Sequence, residues 1–246
     1  MNIYMLCSGK ENAVSCKFPF YVGRFSYVAK GNILLSEKLP HNCFGDMMVI
    51  SMKNAEEYIT PAIYDECRKR GYSSVFLDTD EPPETKSSDV FSKVSASLER
   101  RGIRTFCPLA FSEVCPASTP VADGAVTGGV FKNELRRFFK GKRRIAISLS
   151  RISAHFDMPA STPSGTYISP KKLAMLADTF GSHIFFSPRL VTNYFLFSGA
   201  KEKCSFALMD NDDTISKKLR LAKEIGFSDA FLIYREISDI ARDIRI

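Results

Sequence analysis

Residues 67–84 read CRKRGYSSVFLDTDEPPE, and they hold the grammar of the whole chain in one stretch. A basic helical tail ends in Gly71, an apolar run follows at once, and that run stops in a cluster of carboxylates. Glycine accepts the left-handed conformation that closes a last helical turn, so Gly71 reads as a helix stop. The following residues, rich in β-branched and aromatic side chains, read as a strand. The pattern recurs at LERRG before IRTFCPLAF, FFKGKRR before IAISLS, ADTFG before SHIFFSP and AKEIG before FSDAFLIY. Thr60-Pro61, Ser87-Ser88, Ser169-Pro170 and Asp212-Asp213 supply caps or first-turn prolines ahead of the helices.

Helices alternating with short, nearly continuous apolar strands predict a parallel sheet with helices over its outer face. Strands are expected near 2–7, 47–52, 74–79, 104–111, 144–150, 183–187, 204–209 and 229–235. Eight such strands predict an α/β fold of the (β/α)8 TIM-barrel type, formed by residues 1–246 as one domain. Two segments depart from the repeat. Residues 10–45 alternate like a hairpin and make the first repeat irregular, while residues 112–128, rich in Pro, Ser and Gly, are expected to form a loop on the rim. A doubly wound open sheet is the alternative, but no G-x-G-x-x-G follows the first strand.

Composition narrows the classes further. The chain has 246 residues, 45% of them hydrophobic and 25% charged, which suits a globular protein with a substantial core. No apolar run reaches the roughly 18 to 20 residues that cross a bilayer, and the first residues lack a secretion signal's pattern. The seven cysteines are scattered without close pairs and are expected to be free thiols. A cytoplasmic location is the expectation, with association to a spore or cell wall as a variant. The net charge of +7 is spread along helices, with KGKRR at 140–144 the densest cluster, so no nucleic-acid partner is expected. Neither a metal nor a cofactor is expected, and the sequence assigns no oligomeric state.

On a barrel, chemistry belongs to the carboxyl ends of the strands. Asp78 and Asp80 stand two apart at such an end and are expected to point together into the mouth, about 7 Å apart along the strand. Neighbouring, partly buried carboxylates oppose each other's ionisation, so one can keep its proton near neutral pH. Such a pair suits cleavage of a glycosidic bond, with Glu81 as a further catalytic candidate. The alternative role for both aspartates is acceptance of backbone hydrogen bonds in the turn toward Pro82-Pro83. His155 and Asp157, Arg189, Asp210, and the pair Tyr234 and Glu236 are the expected substrate contacts. Asp210 opens a DNDD run that reads more readily as a strand end and helix cap than as a calcium loop.

GYSSVFLDTDEP resembles the signature strand of glycoside hydrolase family 18, the chitinase-like barrels, whose form is D-x-x-D-x-D-x-E. In that family the terminal glutamate protonates the glycosidic oxygen, and the preceding aspartate orients the substrate's N-acetyl group. By this resemblance Asp78 takes the place of the last aspartate and Asp80 that of the acid, while Phe76 and Ser73 stand where the other two aspartates would be. AHFDMP at 154–159 and DTISKKLRLAKEIGFSDAFLIYREI are similar to later elements of the family. The chain has no Trp to fill the barrel floor, where Tyr234 or Phe231 would take its place. The resemblance implies a barrel that hydrolyses or binds an N-acetylated or other β-linked glycan, with Asp80 as general acid and Asp78 as the orienting carboxylate. A catalytically silent carbohydrate-binding or scaffold barrel is the alternative, and an enzyme for a small anionic metabolite is a third reading.

Overall fold

The computed structural model describes residues 1–8, 11, 19–36, 39, 45–83, 87–139, 144–158, 165–198 and 204–246. The chain begins with strands β1 (Asn2–Ser8), β2 (Tyr21–Gly31), β3 (Ile33–Ser36) and β4 (Met47–Ala55). Helix α1 (Thr60–Arg70), β5 (Ser74–Asp78), α2 (Ser87–Arg100), β6 (Arg104–Pro108), β7 (Thr119–Asp123), α3 (Phe131–Arg137) and β8 (Ala146–Ser148) follow. A second group comprises β9 (Ser153–Asp157), β10 (Thr166–Tyr167), α4 (Pro170–Thr179), β11 (Phe185–Ser187), β12 (Thr192–Ser198) and β13 (Cys204–Met209). The chain closes with α5 (Asp212–Ile225), β14 (Asp229–Ile233) and the short α6 (Tyr234–Ile237).

Among the described residues, eight parallel strands close into a barrel in the order β1, β2, β4, β5, β6, β7, β8, β14 and back to β1. The expected (β/α)8 fold is therefore present, with two changes in which segments build it. The segments 183–187 and 204–209, expected as barrel strands, belong instead to an antiparallel sheet of order β10-β9-β13-β12-β11, which interrupts the barrel between β8 and β14. Their places are taken by β2 and β7. The hairpin-like stretch does form a hairpin, since Tyr27 to Lys30 pair antiparallel with β3, but its first arm is also a barrel strand. Part of the 112–128 rim loop is β7, whose Pro120 brings no backbone N–H to the sheet and so hides the strand from reading by propensity.

Both faces of the barrel strands are covered, which is why their sequences read as unbroken apolar runs. On β5, Val75 and Leu77 enter an outer core with Ile63 and Cys67 of α1 and Phe91, Val94 and Leu98 of α2. Phe76 turns inward. Gly71 closes α1 at φ 74°, with the Tyr72 N–H on the Cys67 carbonyl at 2.9 Å. Gly23 faces the barrel interior, where a Cβ would lie 2.5 Å from Leu6 Cδ2, so a side chain there would require Leu6 to shift.

The interior is filled in layers. At the amino-terminal floor the Arg104 fork grips Asp229 through Nη1–Oδ1 at 2.9 Å and Nη2–Oδ2 at 2.5 Å, and Asn2 donates to the same carboxylate at 3.0 Å. Burial alone would raise the Asp229 pKa; hydrogen bonds from Arg104 and Ser228 outweigh it and hold the carboxyl below its ordinary value. Above the pair lies an aromatic layer centred on Phe231, with Phe106 edge-on at 5.2 Å and Tyr4 and Phe76 stacked at 5.3 and 5.6 Å. Phe231 thus occupies the interior position that the missing Trp suggested, whereas Tyr234 packs on the outer core. Asp229 has no exposed side-chain surface. Replacing Arg104 by Met removes the fork and leaves the buried charge to Asn2, Ser228 and the more distant Arg144 at 3.9 Å, and is expected to lower unfolding free energy by about 3 kcal/mol in a denaturant titration; a loss within experimental error would contradict this account of the floor.

Candidate active site

The inward positions that form the floor and aromatic layer continue upward to the carboxyl ends of the strands. There Ser8, Asp78 and Ile233 line a cavity of about 1370 Å³. Phe25, Val28 and Leu35 of the β2–β3 hairpin give it an apolar wall, and these side chains are 55%, 47% and 47% exposed. Tyr167, Ser169 and Lys171 bring in the start of α4 and its preceding strand, so the second sheet's region helps to build the mouth. Arg235, Glu236 and Asp239 contribute from the segment after β14.

Two carboxyls of this lining have pKa values raised by burial. Burial raises Asp78 above the ordinary carboxylate value and the charge of Asp80 adds to the rise, against a backbone hydrogen bond from Thr79. Burial likewise raises Glu236, with Asp123 acting in the same direction and Arg151 opposing. The Arg151 N–H donates to Glu236 Oε2 at 3.0 Å, while its guanidinium reaches Asp239 Oδ1 at 2.6 Å and the carbonyls of Asp210 and Glu236 at 3.0 and 3.1 Å. The Asp78 and Glu236 carboxyl oxygens can accept hydrogen bonds from hydroxyl donors.

Of the residues singled out in the sequence, Asp78 and Glu236 meet in this cavity. Asp80 does not. Strand β5 ends at Asp78, so the two-residue alternation ceases to apply beyond it, and the Glu81 N–H turns back to Thr79 Oγ1 at 3.1 Å. Asp80 is left outside the cavity lining, with its side chain 76% exposed and 3.4 Å from Lys53 Nζ. Glu81 is outside the lining as well.

The other expected contacts lie elsewhere. His155 and Asp157 sit on β9 of the second sheet, 3.7 Å apart, with Asp157 taking a hydrogen bond from Ser205. Arg189 is exposed in the turn between β11 and β12, and its carbonyl accepts from the Phe131 N–H. Tyr234 begins α6, because the strand that was to carry Tyr234 and Glu236 ends at Ile233. Asp210 is buried and its carboxylate is fully engaged, by Lys218 at 2.6 Å, Thr192 and Ile152 N–H each at 2.8 Å, and Thr214 at 3.0 Å. It is a structural knot and not a rim contact. Asn211 caps α5 in a capping box with Thr214, as the cap reading of this run expects. Cys16, Cys43 and residues 140–143 of the basic cluster lie outside the described residues; Cys67, Cys107, Cys115 and Cys204 are free thiols. Among the described residues no helix is long and apolar enough to cross a membrane.

Reading the sequence missed Arg151, Tyr167 and the Phe25–Val28 wall. The only signal for the last was the alternation already noted in residues 10–45.

The fold is that of the glycoside hydrolase family 18 chitinase-like barrels. SleL, the spore cortex-lytic enzyme of Bacillus megaterium QM B1551, is similar over 100% of this chain and 74% of its own, with a TM-score of 0.69 at 12% identity. A plant class V chitinase mutant from Cycas revoluta, solved in complex with (GlcNAc)3, matches over 99% of this chain and 98% of its own, with a TM-score of 0.61 at 10% identity. YKL-39, solved in the presence of chitooligosaccharides, covers 98% and 96%, with a TM-score of 0.66 at 5% identity. No family model matches the sequence, and no curated protein matches it.

A carboxyl whose pKa is raised by burial weakens the fold once it ionises and costs nothing while protonated. Asp78→Asn is therefore expected to raise the melting temperature at pH 7 and to lose that gain as pH falls toward about 4, the ordinary aspartate value. Thermal melts across that range check it, and a lower melting temperature at pH 7 would contradict the assignment.

Proposed function

We propose that the cavity binds a segment of β-linked, N-acetylated glycan. One observation carries the reading: one open cavity at the carboxyl ends of the barrel strands joins two part-buried carboxyls, Asp78 and Glu236, to an exposed apolar and aromatic wall. Sugar rings present apolar faces and hydroxyl edges, and this lining offers a surface for each. The fold supports the reading, as do the chitooligosaccharides named with two of the similar structures.

Binding is the better reading than turnover through the Asp78 and Asp80 pair. A general acid has to come within hydrogen-bond reach of the glycosidic oxygen, and Asp80 is an exposed partner of Lys53 outside the cavity. A second reading keeps hydrolysis and moves the acid role to Asp78, whose burial favours its proton.

Calorimetric titration with chitotetraose, paired with product analysis, separates the two. Saturable binding without products is expected, weakened about tenfold in Asp78→Asn and unchanged in Asp80→Asn, a loss of about 1.4 kcal/mol. Products that vanish in Asp78→Asn and persist in Asp80→Asn establish the second reading. Failure of the wild-type chain to bind overturns both.

A further inference from the structure

Strand β11 is the outer member of the second sheet, paired on one side with β12 and on the other with no strand among the described residues. The extended run begins before β11 itself, since Ser182 Oγ donates to the Leu196 carbonyl at 2.8 Å. Its side chains are apolar on both faces. Phe185 lies opposite Tyr194, with the rings 5.6 Å apart. Ile184 and Phe186 alternate to the other face, where Lys217 Nζ stands 4.2 Å from the centre of the Phe186 ring. Ile184, Phe185, Phe186, Leu196 on β12 and Phe180 after α4 are each between 39% and 55% exposed. An outer strand presents unpaired N–H and C=O groups, and proteins that keep such a strand single place lysine, proline or a bulge on it. Residues 181–188 read GSHIFFSP, with no fixed charge, and the one proline comes after the strand. The other outer strands, β3 and β10, border the cavity through Leu35 and Tyr167. Strand β11 lies outside the cavity lining, four strands from β10 or about 19 Å at the usual spacing.

We propose that β11 is the docking edge for a second copy of this chain, joined antiparallel about a two-fold axis at Phe185, so that two five-stranded sheets become one of ten strands. The inference is independent of the glycan reading. The edge is its own complement. A two-fold at Phe185 sets the two Phe185 side chains opposite each other on one face, and Ile184 of each copy opposite Phe186 of the other copy on the other face. His183 then meets Ser187, and Ser182 meets Pro188, where the ladder ends for want of an N–H. No like charges are opposed along it, an arrangement that would resist pairing. A two-fold contact also closes on itself, each copy satisfying the other's edge, whereas a head-to-tail contact would propagate. The area suffices for a stable contact. At about 180 Å² for a large side chain, the exposed apolar groups present roughly 400 Å² per protomer. Apolar atoms make up about 60% of an interface, so two copies correspond to roughly 1,300 Å² in all, within the range of specific interfaces. The cavities, at the opposite edges of the two sheets, stay open.

Sedimentation equilibrium of the wild-type chain is expected to show a species of twice the 27.5 kDa chain mass, populated in the micromolar range. Phe185→Lys opposes two ammonium groups across the axis and removes the apolar contact, and is expected to weaken the dimer by at least about a hundredfold. Ile184→Lys disrupts the other face and should act likewise. Both should fold as the wild type does, because each side chain is about half exposed in the single chain. Phe185→Cys in a Cys204→Ser background, which removes an exposed thiol, should cross-link as a dimer on oxidation with diamide, beyond the level that Cys204→Ser alone gives. A wild-type chain that stays monomeric throughout the micromolar range overturns the proposal. A dimer that persists unweakened in folded Phe185→Lys and Ile184→Lys places the contact elsewhere and also overturns it. If the lysine variants do not fold, the cross-link decides: its formation supports the two-fold edge, and its absence from a dimeric sample overturns it.

Discussion

The Arg104–Asp229 pair and the aromatic layer resting on it decide what kind of barrel this is. A barrel of eight strands has an interior just wide enough to be filled by side chains, and here the lower levels are filled. The ion pair occupies the floor, and the Arg104 guanidinium lies 4.3 Å from the centre of the Phe106 ring. Phe231 meets Tyr4, Phe76 and Phe106 directly above. Open space begins only over that layer, where the inward residues become Ser8, Asp78 and Ile233. The cavity sits at the carboxyl ends of the strands because the packing leaves it nowhere else in the barrel.

A second constraint fixes one wall of that cavity. The antiparallel sheet leaves the barrel after β8 and returns before α5, and both crossings are tied to Asp210. Its carboxylate takes the Ile152 N–H where the excursion begins, Thr192 within it, and Thr214 and Lys218 on α5. Burial pushes the Lys218 ammonium below its ordinary pKa, and the Asp210 charge opposes that drift. Arg151, beside the same knot, reaches the segment that carries Glu236. The knot and Arg151 therefore tie the start of the antiparallel excursion and α5 to the segment that carries Glu236.

Much of this was legible in the sequence, and the failures have physical reasons. The helix stop at Gly71 and the two-sided burial of Val75 to Leu77 are local properties, and they placed β5 and Asp78 correctly. Pairing direction is not local. Residues 183–187 and 204–209 follow the same helix, glycine and strand grammar as barrel strands, yet they enter antiparallel ladders with β12. Pro120 concealed β7, and the bulge at Ser26 made β2 look like half of a free hairpin. Asp80 was misplaced because alternation was carried past the end of its strand. Asp210 was misjudged because a run of four polar residues reads as exposed, whereas its first member is the buried partner of a lysine eight residues away. Arg151 and Tyr167 join the site through tertiary packing that no spacing announces.

A crystal structure of the protein with chitotetraose tests the central claim most directly. The account predicts sugar density across the cavity, with one ring against the Phe25–Val28 wall, hydrogen bonds from Asp78 or Glu236, and Asp80 still beside Lys53. Sugar bound outside the cavity, or Asp80 turned inward onto a glycosidic oxygen with the Phe25–Val28 wall untouched, would contradict it.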